Sequence, residues 1–118
     1  MSAYVYGSLD HKRLQIRVFI LQPAKQHHDP VYGELKIVSL LESPKYDALS
    51  YAWGPRYQNK HRVWVNEHRF LDITSNLHRA FLDLRLRYQP RILWIDAICV
   101  NQGDANERQN QVALMREI

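Results

Sequence analysis

The chain has 118 residues, of which 46% are hydrophobic and 24% charged, with a formal net charge of +4 and a sequence pI of about 9.4. This globular balance excludes a disordered tail, a collagen and a disulfide scaffold, since Cys99 is the single cysteine, and it leads one to expect one domain in a reducing, cytoplasmic setting. The basic residues form three loose groups (11–17, 56–69 and 85–91) interleaved with apolar and acidic residues, which reads as a solvated surface with no specific nucleic-acid partner; no stretch resembles a secretory signal or nears the roughly 20 apolar residues of a membrane span.

Leu14–Leu21 alternates Leu14, Ile16, Val18 and Ile20 with Gln15, Arg17 and Phe19, which predicts a strand with one face buried. Pro23 stops it, and Gln22–Pro30 reads as a loop. Gly33–Leu41 predicts a second strand, with Leu35, Ile37 and Ser39 on one face and Lys36, Val38 and Leu40 on the other. Tyr46–Trp53 is small, aromatic and nearly uncharged, and Gly54-Pro55 turns its end; this predicts a strand buried on both sides. Arg62–Leu71 reads as a hairpin turning at Asn66-Glu67.

The period then changes. Leu77, Ala80, Phe81, Leu84 and Tyr88 recur at helical spacing, which predicts an amphipathic helix over Ser75–Tyr88, capped by Thr74 or Ser75 and ended by Pro90. Arg91–Ala97 predicts a second central strand, apolar through Ile95 and interrupted by Asp96. Asp104 and Glu107 then form a capping-box-like start to a helix that runs to the last residue. Buried strands alternating with amphipathic helices argue an α/β fold with a partly parallel sheet, flanking helices, N-terminal antiparallel strands and a hairpin.

In open α/β sheets ligands bind beyond the carboxyl ends of the parallel strands. The first buried strand delivers Ser50, Tyr51, Trp53 and Gly54 to that edge, and the second delivers Asp96, Cys99, Asn101 and Gln102. The amides after Asp104 would open an anion site at the following helix. Asp96, directly after an apolar run, must be hydrogen-bonded, paired or functional. Each candidate has a structural alternative: Asp96 as an acceptor that ties down its loop, Glu107 as a helix cap, Asn101 and Gln102 as turn-formers, Trp53 as core, Gly54 as a turn glycine and Cys99 as a small buried hydrophobe. The adjacent His27 and His28 lack partners at ligand spacing, so no metal is expected, and the common nucleotide-binding and serine-hydrolase motifs are absent.

Four blocks, in order and spacing, resemble the fungal heterokaryon incompatibility (HET) domain: Y-D-A-L-S-Y-A-W-G (46–54), I-T-S-N-L-H-R-A-F-L-D-L-R (73–85), L-W-I-D-A-I-C-V-N-Q (93–102) and E-R-Q-N-Q-V-A-L-M-R-E-I (107–118). The resemblance implies a fold remotely similar to TIR domains and to flavodoxin-like sheets. Residues 46–118 would be the N-terminal portion of the domain, with 1–45 as lead-in strands and loop. It also implies that a further strand follows the last helix, so that the domain is truncated here. The implied function is nonself recognition ending in programmed cell death, by self-association or with a protein partner, with no required cofactor and no membrane. An alternative is a TIR-like enzyme that binds and cleaves NAD, with Ser50, Trp53, Gly54, Asp96, Asn101 and Gln102 at the ligand and Asp96 and Glu107 as catalytic candidates. In that version Asp96 holds a ribose hydroxyl and the amides after Asp104 hold phosphate. The TIR-type catalytic glutamate would lie beyond the following strand, so this stretch is not expected to be an active hydrolase. A nonfunctional truncated gene product is a third alternative.

Overall fold

The apolar runs become strands of one mixed sheet in a computed structural model, which describes residues 2–49, 54–55 and 58–118. The strands are β1 (Ser2–Ala3), β2 (Gln15–Leu21), β3 (Tyr32–Ser39), β4 (Asp47–Leu49), β5 (Asn59–Val65), β6 (Arg69–Thr74) and β7 (Arg91–Ile95). The helices are α1 (Ser75–Leu84), the single turn α2 (Asp96–Cys99) and α3 (Ala105–Ala113). The sheet order is β1-β6-β5-β3-β2-β7-β4. Strands β1–β6, β3–β5 and β4–β7 pair in parallel, and β5–β6, β3–β2 and β2–β7 are antiparallel. The expected parallel neighbours are β4 and β7, in register Asp47 with Leu93 and Leu49 with Ile95. Among the described residues, no helix is long and apolar enough to cross a membrane.

Burial differs from expectation in two strands. β2 lies between β3 and β7, and both of its faces are covered: Ile16 and Val18 are buried on one, Arg17, Phe19 and Leu21 on the other. Tyr6, Cys99 and Glu107 pack over Arg17, which is 0% exposed. β4 shows the reverse. It is the outer strand, with Asp47 and Ala48 exposed and Leu49 half-buried, because it has β7 alone as a neighbour among the described residues. Residues 50–53 of that predicted strand lie outside the described residues. In β3, Gly33, Leu35 and Ser39 are buried, whereas Ile37 is exposed.

The hairpin turns at Asn66 and Glu67, whose φ values of +50° and +74° match the right-handed twist of the flanking strands. α1 starts as expected, with Thr74 Oγ1 accepting from the Leu77 amide at 3.2 Å. Phe81 meets Phe19 of the sheet with ring centroids 5.2 Å apart. The helix ends at Leu84 instead of Tyr88. Arg85 turns away to donate to the carbonyls of Pro30 (2.9 Å) and His27 (3.0 Å), Leu86 accepts from Ala24, and Tyr88 is left exposed. β7 likewise stops at Ile95, one residue pair before the predicted Ala97, and Asp96 starts a helical turn. α3 ends at Ala113 and not at the last residue; its buried residues are Glu107 and Gln111, Leu114 just after it is buried too, and Val112 and Met115 face solvent.

Candidate functional site

A cleft of about 300 Å³ opens where β6 and β7 both end. Leu71, Asp72, Ile73 and Thr74 of β6 and Leu77 of α1 form one wall. The segment after β7, with Asp96, Ile98, Asn101 and Gln102, forms the other, and Tyr6 and Gly54 complete the lining. Thus Gly54, Asp96, Asn101 and Gln102 meet as predicted, whereas Ser50, Tyr51 and Trp53 fall outside the described residues.

Local chemistry shapes each wall residue. Asp96 Oδ1 accepts from the Ala97 amide at 3.0 Å, as a carboxylate at a helix start does. Gln102 Nε2 donates to the Asp96 carbonyl at 3.0 Å, and Asn101 Oδ1 accepts from the Gly103 amide at 3.1 Å, which closes an Asx turn. Gly54 takes φ +97°, and a Cβ there would stand 3.3 Å from Gln58 Oε1. Tyr6 donates its hydroxyl to the Ile98 carbonyl at 2.7 Å, and burial pushes its phenol well above the ordinary tyrosine value.

Beneath the cleft lies an ion pair between residues ninety positions apart. Arg17 Nη1 and Nη2 donate to Glu107 Oε2 (2.8 Å) and Oε1 (2.7 Å). The same guanidinium donates to the carbonyls of Cys99 (3.1 Å) and Gly7, and its carbon lies 4.7 Å from the Tyr6 ring centroid. Glu107 Oε2 also accepts from the Asn101 amide. Glu107 is 8% exposed and does not line the cleft. The capping box is half formed: Asp104 accepts from the Glu107 amide at 3.1 Å, while the Glu107 carboxylate turns inward to Arg17. Arg17 is the residue that sequence reasoning placed wrongly, on a solvent face. The available signal was an arginine flanked closely by Ile16, Val18 and Phe19 in a strand that could be central.

Two carboxylates, Asp72 and Asp96, belong to the described lining of the cleft, and that of Asp72 is paired with Arg62 at 3.4 Å. No Lys, Arg or His lines it among the described residues. At the start of α3 the Asp104 carboxylate already occupies the Glu107 amide, and its charge opposes an anion there. Cys99 is fully buried, and burial pushes its thiol up to about 12, so it is no nucleophile near neutral pH. No group of three His, Cys, Asp or Glu with metal-ligand geometry occurs among the described residues.

Comparison with known proteins adds what the geometry cannot. The profile of the family described as Heterokaryon incompatibility protein (HET) matches residues 46–118. The chain is 36% identical, over 128 aligned positions, to Heterokaryon incompatibility protein 6, OR allele, of Neurospora crassa. That alignment covers 98% of this chain and 19% of the relative, so the chain spans about a fifth of the relative's length. No solved structure matches.

Proposed function

Because the chain belongs to the heterokaryon incompatibility (HET) family, we propose that it serves in fungal nonself recognition, as a self-associating module whose assembly signals cell death. The observation that carries a module over an enzyme is the cleft itself. No Lys, Arg or His lines it among the described residues, Asp72 is paired with Arg62, and Asn101 Oδ1 and Gln102 Nε2 are spent on their own loop. A dinucleotide brings a pyrophosphate, which needs amides or cations to replace its hydration. About 300 Å³ is also at the lower end of the range for small-molecule sites. Glu107, the second catalytic candidate, has both oxygens engaged in holding the floor.

One experiment separates the readings. The purified chain is followed by light scattering over a concentration series, and in parallel incubated with NAD while free nicotinamide is measured. Reversible, concentration-dependent assembly without nicotinamide release is the expected outcome. Nicotinamide release that disappears in Asp96→Ala would establish the enzyme instead, and a chain that stays monomeric throughout would refute self-association.

A further inference from the structure

Two imidazoles outside the cleft join the hairpin to its wall. His61 of β5 and His78 of α1 stack with ring centroids 4.4 Å apart and planes inclined by 15°. His61 Nε2 lies 3.0 Å from the hydroxyl of Ser75, the first residue of α1. The pair therefore grips the first turn of the helix from the strand beside it. Ser75 and His78 alternate along that turn with Thr74 and Leu77, which line the cleft. A neutral pair can stack and share a hydrogen bond with the serine. A charged pair places like charges face to face, beside the positive end of a helix dipole.

We propose that the stacked His61–His78 pair is a proton-sensitive clamp between β5 and α1, closed when both rings are neutral and weakened when the pair becomes charged. The groups that act on His78 favour the neutral ring. Burial, then His61, then Arg85 hold its pKa below the ordinary imidazole value. From neighbouring β6, the Asp72 carboxylate is 3.4 Å from Arg62, and it is not among the charges that move His78. The sign follows from linkage. His78 binds a proton more readily in the unfolded chain than in the folded one. Its contribution to stability is present above the unfolded value of roughly 6.5 and is lost as pH falls through the lower folded value. Mild acidification thus loosens α1 from the hairpin and with it the Thr74–Leu77 wall of the cleft.

The test compares the 118-residue chain with His78→Phe and His61→Phe, each of which keeps a stackable ring that cannot be protonated. Unfolding equilibrium constants are measured in urea at about pH 7.5 and about pH 5, and the imidazole carbon-bound protons are titrated by NMR in the unsubstituted chain. The expected result is a several-fold larger loss of stability on acidification in the unsubstituted chain than in His78→Phe, a smaller difference from His61→Phe because burial still acts on His78, and His78 titrating below the ordinary value. An equal pH response in all three proteins overturns the clamp. So does a His78 midpoint at or above the ordinary value, and this second measurement decides the matter if neither variant folds.

Discussion

Arg17 shows how one residue can organise a site without touching its contents. Its guanidinium binds Glu107 with two nearly parallel bonds and reaches Cys99 and Gly7 as well, so α3, the end of α2 and the N-terminal segment all converge on β2. The Asn101 amide on Glu107 then sets the loop that faces the cleft. Burying two charges costs more than their attraction returns unless the remaining hydrogen-bond positions are filled, as most are here, while Arg17 Nε lacks a partner among the described residues. Removing one member strands the other charge in the core. Glu107→Gln is therefore expected to lower unfolding stability by about 3–5 kcal/mol in urea titration. Replacing both members, Arg17→Met with Glu107→Leu, is expected to recover most of that loss, because no lone charge remains. If the double variant is as unstable as Glu107→Gln, the pair's role is not the balance of buried charge.

At the level of the elements, the centre of the sheet tolerates little change in volume. Gly33 of β3 faces Leu21 of β2 across the register, and the Phe19 ring fills the space where a Gly33 side chain would stand. Phe19 in turn meets Phe81 of α1, so ring, strand and helix share one packed contact. A Cβ at Gly33 would overlap the ring. Gly33→Ala is expected to cost about 1–3 kcal/mol, the usual range for overpacking, and Phe19→Leu in the same chain is expected to return part of it. Calorimetric midpoints of the two proteins check this; a Gly33→Ala variant as stable as the parent would mean that the ring moves freely. The same contact explains why α1 begins where its pattern says. Its first turn is capped by Thr74 and its buried face meets Phe19, whereas its end is set by Arg85 reaching the 26–30 loop.

The whole molecule is built around strands that precede the family match. The HET profile covers residues 46–118, yet β2 and β3, from the first 45 residues, sit in the middle of the sheet. β7 pairs with β2 on one side and β4 on the other. The N-terminal segment closes the arrangement, with the Tyr4 amide on Phe70 and the Tyr6 hydroxyl on Ile98. Residues 46–118 alone would lose Ile16, Val18, Phe19 and Leu21 from the core and leave β7 with one neighbour among the described strands. That fragment is expected to lack cooperative unfolding and dispersed amide resonances, while the 118-residue chain shows both. A fragment that melts cooperatively would place the folding unit after residue 45.

Local patterning sufficed for most elements: alternation for β2 and β3, the Asn66-Glu67 turn for the hairpin, the Thr74 cap for α1 and the apolar run for β7. These are short-range effects, written within a few residues of where they act. The convergence of Gly54, Asp96, Asn101 and Gln102 was also legible, because a topological rule about strand ends predicts it without any contact being known. Burial was not legible where it depended on strand order. Tyr46–Trp53 reads as core, yet its described strand Asp47–Leu49 has β7 alone as a neighbour among the described residues, and Arg17 reads as surface and stands at the centre, because a strand's neighbours in a sheet are chosen across the whole chain. For the same reason Glu107 left its helix cap for Arg17, and His61 found His78: pairings between distant positions have no periodicity to betray them, and form only when the sheet has brought their elements together.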